Sequence, residues 1–235
     1  GVTGSGKTEI YIKLTQDIIS QNKRALILVP EIVLTPQTAE RFKKYFGSQV
    51  GIWNSSLSLS EKKWTWDNIN NKNIKVIIGT RSSIFLPIKN LSLIIIDEEH
   101  DYSYKQSEKM PTYNARDIAI IRSKILNTLV VLGSATPSLE SYYNSITKKY
   151  NLYDLKERYG KSVYPTIDLI NMFDNQDGIN TLFSNNLIMA IKNCLIKKEQ
   201  IILLHNRRGY STILFCSKCE YIFKSKKTTT PLTYH

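Results

Sequence analysis

The apolar positions of this chain follow two different periods. Short apolar runs at 25–29, 74–78, 91–96, 129–132 and 201–204, two of them with one polar residue, are typical of strands buried on both faces. Helical patterns between and after them predict helices near 36–46, 58–70, 113–126, 137–147 and 184–198. An earlier helix follows the opening glycine-rich segment, and its predicted buried face carries Ile10, Leu14 and Ile18. Strands that alternate with helices predict an α/β fold with a mostly parallel sheet.

A polar segment at 156–180, which carries glycine, proline and asparagine, interrupts this alternation. We therefore predict an α/β lobe at 1–155, a connector at 156–180 and the beginning of a second lobe at 181–235. The chain opens inside a motif with glycine instead of methionine, so we expect it to be a piece of a longer protein.

Charge and cysteine content indicate the kind of partner and the cellular compartment. The net charge is +12 and is concentrated near the end, where 192–235 carries nine Lys or Arg against two Glu. Such an excess favours nucleic acid as a partner, although a generally lysine-rich composition would also produce it. The three cysteines form no disulfide framework and suit a reducing, cytoplasmic compartment. No apolar run approaches the ~20 residues of a membrane span, so we expect no membrane partner.

The first eight residues, GVTGSGKT, fit the phosphate-loop pattern G-x-x-x-x-G-K-[ST]. In that pattern the backbone N–H groups face the phosphates of ATP at the start of a helix. The Lys7 ammonium would reach the β- and γ-phosphates, and the Thr8 hydroxyl would bind Mg²⁺. A flexible turn before a helix is the alternative. The predicted ATP-binding residues here are Gly1, Gly4, Ser5, Gly6, Lys7 and Thr8.

Acidic residues follow the predicted strand 91–96. Asp97 would hold Mg²⁺, and Glu98 would orient and deprotonate the attacking water. The carboxyl ends of strands in an open α/β sheet are where ligands bind, which favours this interpretation over a plain acidic turn. Together with Lys7, these two acids form the predicted catalytic set.

A third segment, GSATP at 133–137, follows the next predicted strand. Ser134 and Thr136 could link the nucleotide site to neighbouring groups. The same segment also reads as a helix start, with Thr136 as N-cap and Pro137 at the first helical position. Both interpretations can hold together.

Two segments are candidates for nucleic-acid contact. Thr80 and Arg81 lie at a predicted strand end and could bind a phosphate, or could form a capped turn with a surface arginine. The segment 101–106 interleaves aromatic and basic residues, as a stacking platform for single-stranded bases does, although packing of the loop onto the lobe explains it equally well. Its candidate residues are Tyr102, Tyr104, Lys105 and Gln106.

Cys216 and Cys219 have the spacing of half a zinc site. Structural zinc needs four ligands, and even with His235 the set is one short. We therefore expect zinc binding to be doubtful here. Cys194 falls in a predicted helix and reads as a core residue.

In this order, the motifs resemble superfamily-2 helicases of the DEEH type, and among them the primosomal replication-restart helicases. The likeness extends over nearly the whole chain and includes LIIIDEEHDYSYKQ and VLGSATPSLES. It implies a RecA-like lobe, with a second lobe that helps to hold ATP and Mg²⁺. It also implies ATP-driven 3′→5′ unwinding of forked or single-stranded DNA at stalled forks, with replication-restart proteins as partners.

The sequence departs from this family pattern at several positions. Thr112 and Asn54 stand where the family usually has Arg and His. The family also carries a zinc-binding segment that begins with a cysteine pair like 216 and 219, and Ser225 and Thr228 stand where its next two cysteines belong. The later second-lobe motifs, with the arginines that complete the ATP site, are absent. The alternative is thus a vestigial, inactive fragment that retains only nucleotide or nucleic-acid binding. Another DNA translocase or an RNA helicase of the same superfamily is a third possibility.

Overall fold

The computed structural model describes residues 5–30, 36–108, 110–157, 165–171, 183–204, 216, 219 and 221–224. The chain divides into two compact units, Gly1–Tyr164 and Pro165–His235. The predicted boundaries at 155 and 180 remain predictions. Among the described residues, no helix has both the length and the apolar character that a membrane span requires.

A five-stranded parallel sheet forms the centre of the first unit. Its strands are β1 Arg24–Leu28, β2 Val50–Trp53, β3 Val76–Gly79, β4 Leu91–Ile96 and β7 Leu129–Leu132, in the order β2-β3-β1-β4-β7. A short antiparallel pair, β5 Lys105–Gln106 and β6 Tyr113–Asn114, lies outside this sheet. The helices of this unit are α1 Lys7–Ser20, α2 Pro36–Phe46, α3 Leu59–Asn70, α4 Ala115–Leu126 and α5 Leu139–Ile146. The predicted α/β class with a parallel sheet is confirmed.

The sheet is covered by helices on both faces, which explains why its strands are mostly apolar. One core cluster joins alternate strand residues to α3 and α4, and includes Leu26, Leu28, Ile94, Ile96, Ile69, Ala115 and Ala119. The other joins the intervening strand residues to α1 and α2, and includes Ala25, Ile27, Leu93, Ile95, Tyr11, Ile12, Phe42 and Phe46. Successive residues of β1 therefore face opposite helical layers, as the two-residue period of a strand requires.

The predicted buried face of α1 is correct in part: Leu14 and Ile18 are half-buried and pack against the core, but Ile10 does not. Ile10 is exposed, whereas Tyr11, Ile12 and Thr15 are buried. Hydrogen bonds explain the difference. The Thr15 hydroxyl donates to the Tyr11 carbonyl at 2.7 Å, and the Tyr11 hydroxyl donates to Asp97 at the carboxyl end of β4. Apolar spacing alone does not detect a buried face that carries hydroxyl groups.

Two predicted helix starts are also wrong by two residues. The helix expected from 137 begins at Leu139, because Ser138, and not Thr136, is the N-cap and accepts a hydrogen bond from the Ser141 amide at 3.3 Å. The helix expected from 113 begins at Ala115, since Tyr113 and Asn114 form β6. The Asn114 side chain then caps α4.

The described part of the second unit contains one helix, α6 Asn185–Ile196, which Ser184 caps through the Leu187 amide. Cys194 on this helix is half-buried and not a core residue. The strand expected at 201–204 is absent from the described residues. A strand needs a neighbour for its backbone hydrogen bonds, and no described strand pairs with this run, so its side chains stay largely exposed.

Candidate functional site

The carboxyl ends of β1, β4 and β7 meet at one edge of the sheet. The Asp97 amide after β4 donates to the Leu28 carbonyl of β1 at 2.9 Å. The Gly133 amide after β7 donates to the Ile96 carbonyl at 2.8 Å. The segments that follow these strands are thereby held side by side, at the position where open α/β sheets bind ligands.

The N-terminus of α1 contributes the basic side of the site. Gly6 precedes the helix with φ +85°, a left-handed conformation that favours glycine. Ser5 is half-buried, and its Oγ atom has no hydrogen-bond partner among the described residues. A helix N-terminus with an unpaired hydroxyl suits a phosphate group, which accepts hydrogen bonds from both. Gly1 and Gly4 lie outside the described residues.

Lys7 and Glu98 form the contact that defines the site. The Lys7 Nζ atom lies 2.8 Å from Glu98 Oε1, and the two side chains are 14% and 31% exposed. Glu98 has φ +46°, which is uncommon for a residue with a side chain. Strained backbone of this kind persists only where the surrounding structure fixes it, and it is frequent at functional positions. The structure therefore brings together two predicted catalytic residues that are 91 positions apart.

Asp97 completes the acidic side. Its Oδ1 atom accepts a hydrogen bond from the Tyr11 hydroxyl at 2.9 Å. Burial raises the pKa of Asp97 above its ordinary value, and the hydrogen bond from Tyr11 opposes that rise. Burial beside Asp97 raises the pKa of Tyr11, so this hydroxyl keeps its proton and acts as the donor.

These side chains suit a magnesium–nucleotide complex. Thr8 follows Lys7 at the start of α1 and is half-buried, while Asp97 precedes Glu98. A hydroxyl and one carboxylate, together with phosphate oxygens and waters, form a typical Mg²⁺ environment. Among the described residues, no group of three or more His, Cys, Asp or Glu forms an all-protein metal cage.

The segment 133–137 contacts the acidic turn through His100. His100 Nδ1 lies 2.7 Å from Ser134 Oγ, and His100 Nε2 lies 3.4 Å from Thr136 Oγ1. The two predicted coupling residues therefore lie at the ends of one imidazole ring. Sequence reasoning missed His100 as a site residue, although its position directly after three acids is a usable signal.

Glu99 holds the acidic turn against α4 and α5. Its carboxylate accepts from the Ser138 amide at 2.7 Å, the Ser141 hydroxyl at 2.8 Å and the Arg116 guanidinium at 3.1 Å. Burial opposes ionisation of Glu99, but these donors outweigh it and lower its pKa. Sequence reasoning missed this network, because its members share no local pattern.

The segment 101–106 is not a uniform aromatic platform. Tyr102 is 91% exposed, and Lys105 is exposed beside it. Tyr104, in contrast, is 1% exposed, and its hydroxyl lies 2.6 Å from the Asp97 carbonyl and 3.0 Å from the Leu28 carbonyl. A base cannot stack on Tyr104 in this position. The prediction that Tyr104 contacts nucleic acid is therefore wrong, because its hydroxyl is bonded to two carbonyl oxygens inside the protein.

Three further candidates for nucleic-acid contact have protein partners. Thr80 is buried, and its amide donates to the Trp53 carbonyl at 3.1 Å. Arg81 donates to the carbonyls of Ser103 and Lys105 at 3.2 and 2.9 Å, so it supports the loop that follows the acids. Gln106 lies on β5, and its side-chain amide donates to the Pro111 carbonyl at 3.0 Å.

The cysteine pair of the second unit is only partly described. Cys216 is half-buried, and its amide donates to the Tyr221 carbonyl at 2.9 Å, while Cys219 is exposed. The other residues weighed for a zinc site, Ser225, Thr228 and His235, lie outside the described residues.

Comparison with known proteins gives the family. The model for the DEAD/DEAH box helicase matches residues 1–144, which is more than half of the chain. The chain belongs to the DEAD/DEAH box helicase family. Lys7, Asp97, Glu98, His100 and the segment 133–137 all lie within the part that this helicase model matches.

Similar proteins extend the likeness over the rest of this helicase-family chain. It is 44% identical over its whole length to the replication restart protein PriA of Bacillus subtilis, and spans 29% of that protein. It is 46% identical to PriA of Rickettsia prowazekii, again over its whole length, and spans 36% of it. The chain therefore covers about a third of these relatives. A structure of RecG bound to a three-way DNA junction is 25% identical over 63% of this chain and 19% of RecG, with a TM-score of 0.45.

Proposed function

We propose that this chain is the ATP-binding motor lobe of a replication-restart helicase, which couples ATP hydrolysis to 3′→5′ unwinding of forked DNA. The observation that carries the proposal is the contact of 2.8 Å between Lys7 and Glu98 at the start of α1. It joins the phosphate loop to the acidic turn inside the part that matches the helicase family. The identity to PriA over the whole chain supports the replication-restart role.

Each side chain has a role that follows from its chemistry. Lys7 neutralises charge on the β- and γ-phosphates, and the backbone and hydroxyl of Ser5 contact phosphate oxygens. Thr8 and Asp97 would hold Mg²⁺, and the metal would supply positive charge to neutralise the charge that develops on the phosphates. Glu98 orients the attacking water and accepts its proton. Glu98 must leave Lys7 for that role, and an incoming phosphate provides the competing partner for the ammonium.

The organisation proposed for the whole protein has this lobe at 1–155, a connector at 156–180 and a second lobe that begins at 181. Groups from a second lobe complete the ATP site in motors of this kind, and an arginine supplied across the cleft contributes about 10³–10⁵ in rate. We therefore expect the chain by itself to bind Mg·ATP and to hydrolyse it slowly.

DNA is the proposed polynucleotide partner, and replication-restart proteins are the proposed protein partners. Tyr102 and Lys105 offer an exposed ring and an exposed charge directly after the acidic turn. Arg81 holds the backbone of the same loop. A base stacked on Tyr102 would therefore lie a few residues from the groups that contact ATP, which gives DNA a short route to influence hydrolysis.

The binding step is tested with labelled ATP and two single variants. Lys7→Ala removes a charge-assisted contact, and such contacts contribute about 1.5–3 kcal/mol, so affinity for Mg·ATP falls about 10–100-fold. Lys13→Ala is the matched control, because Lys13 is exposed on the same helix. Equal affinities for the two variants would remove the nucleotide site from the proposal.

The motor step is tested in a chimera that places this chain in the corresponding third of PriA from Bacillus subtilis. We expect ATP-dependent unwinding of forked DNA that Lys7→Ala abolishes, and little unwinding of structured RNA. A chimera that binds ATP without unwinding any substrate would favour the inactive fragment. A preference for RNA would favour an RNA helicase.

A further inference from the structure

Tyr11 lies one helical turn after Lys7 on α1, and residues four positions apart share a helix face. Lys7 contacts Glu98, and Tyr11 contacts Asp97, at 2.8 and 2.9 Å. Two successive positions on one face of α1 thus hold two successive acids. The first contact belongs to the phosphate loop, whereas nothing in the phosphate-loop pattern requires a tyrosine at the second.

We infer that Tyr11 is a positioning residue for the magnesium carboxylate, and that its hydroxyl fixes Asp97 in the orientation that metal-bound nucleotide needs. This inference rests on the proposed function. A carboxylate has two oxygens, and Tyr11 occupies a lone pair of Oδ1, so the rotation of the carboxylate about its bond is restrained. Hydrogen-bonded partners of metal ligands typically contribute about 10–100-fold to metal affinity.

The Tyr11 hydroxyl occupies space that any side chain at position 133 would fill. Tyr11 is buried, and a Cβ atom added to Gly133 would lie 1.6 Å from the Tyr11 hydroxyl oxygen and 2.8 Å from its Cζ atom. The residue at the end of β7 must therefore lack a side chain for the hydroxyl to stand where it does. The need for space beside the Tyr11 hydroxyl therefore explains why position 133 is a glycine. A helix start alone does not require a glycine there.

The backbone of the same aspartate is held by a second tyrosine, Tyr104. The Tyr104 hydroxyl lies 2.6 Å from the Asp97 carbonyl oxygen and 3.0 Å from that of Leu28. Tyr104 therefore restrains the main chain of Asp97, and Tyr11 restrains its carboxylate. Because the two hydroxyls act on different groups, removal of the Tyr11 hydroxyl changes carboxylate orientation while the strand end stays in place.

The test measures how strongly Mg²⁺ assists nucleotide binding to the full chain. A fluorescent ADP analogue is titrated with EDTA present and then over a range of Mg²⁺, for the unmodified chain, for Tyr11→Phe and for Tyr143→Phe. Tyr143 is an exposed tyrosine on α5 and serves as the matched control. We expect Tyr11→Phe to raise the Mg²⁺ concentration at half-saturation about 10-fold or more, with metal-free affinity within about 2-fold of the unmodified chain.

A second variant keeps the inference open to refutation if Tyr11→Phe disturbs folding. Gly133→Ala displaces the hydroxyl sterically, so it also raises the Mg²⁺ concentration at half-saturation. In the Tyr11→Phe background the hydroxyl that acts on Asp97 is already absent. The same substitution still presses on the ring at Cζ, but it adds little further loss of Mg²⁺ affinity. Competition by Mn²⁺, followed through the resonance signal of free Mn²⁺, reports metal binding without any turnover.

The outcomes separate the inference from the proposed function. If the unmodified chain shows no Lys7-dependent binding of nucleotide, the proposed function fails, and the role of Tyr11 fails with it. If binding depends on Lys7 but Tyr11→Phe keeps the Mg²⁺ dependence of the unmodified chain, only the inference is overturned. Fully additive losses in the double variant would also overturn it.

Discussion

Replacement of Glu99 by alanine is the perturbation for which the structure gives the clearest magnitude. Only 1% of this side chain is exposed, and its carboxylate binds Arg116, whose side chain is 12% exposed. Removal of one partner leaves the other charge buried, which costs about 3–5 kcal/mol. Arg116 also contacts the exposed Asp117 at 3.3 Å, so we expect the lower end of that range. Glu99→Gln keeps the shape and some of the hydrogen bonds, and costs about 1–3 kcal/mol.

Urea denaturation followed by tryptophan fluorescence measures this effect in the relevant unit. The tryptophans, Trp53, Trp64 and Trp66, all belong to the first unit, so the signal reports on that unit alone. Glu140→Ala is the matched control, because Glu140 is exposed in the first turn of α5 and contributes less than about 1 kcal/mol through the helix dipole. If Glu99→Ala and Glu140→Ala lose the same free energy of unfolding, the reasoning about the Glu99 network is wrong.

The same residue predicts a dependence on pH. The pKa of Glu99 is lower in the folded chain than its ordinary value, so its contribution is complete above the unfolded pKa of about 4.3. That contribution is lost as pH falls through the folded pKa. The difference in free energy of unfolding between the unmodified chain and Glu99→Gln therefore shrinks at acidic pH. A difference that stays constant from neutral pH to pH ~3 would contradict this prediction.

Three further substitutions have expected outcomes. Tyr104→Phe removes a buried donor from the Asp97 carbonyl and lowers the free energy of unfolding by about 1–3 kcal/mol in the same urea assay. Gly79→Ala brings a Cβ atom to 1.8 Å from Ser83 Oγ, so we expect the free energy of unfolding to fall by about 1–3 kcal/mol or more. An unchanged denaturation midpoint would show that the strand end relaxes freely. Arg81→Ala releases the loop at 102–106, and limited proteolysis should cut there several-fold faster, whereas an unchanged cleavage rate would mean that the arginine does not hold the loop.

The regular elements of the first unit were largely accessible from sequence because their signals are local. The runs at 91–96 and 129–132 became β4 and β7 with the predicted bounds, and the helix at 36–46 became α2. The edge strand β2 was missed, since Val50–Trp53 is short and contains a glycine. The run at 201–204 has the same apolar content as a buried strand, but a strand also needs a neighbour, which composition does not reveal.

The site divides in a similar way. The phosphate loop and the acids are motifs, so Lys7 and Glu98 could be paired in advance, and the structure places them in contact. Tyr104 and Tyr102 looked equivalent in the sequence, yet one supports the strand ends and the other is exposed. Which of two neighbouring aromatics faces the core depends on the path of the loop, and that path is set by hydrogen bonds to distant carbonyl groups. The role of Glu99 was hidden for the same reason.

The existence of a Mg·ATP site between the phosphate loop and the acidic turn is tested by ligand-induced stabilisation. Nucleotide at about 100 times its Kd adds about 2.7 kcal/mol to the free energy of unfolding, which raises the Tm of a domain of this size by about 5–10 °C. Tryptophan fluorescence follows the first unit during heating. We predict such a rise for the unmodified chain with millimolar Mg·ATP. Because the affinity of Lys7→Ala is about 10–100-fold lower, we predict for it a rise at most about half as large. No rise in the unmodified chain, or an equal rise in Lys7→Ala, would contradict the assignment of this site.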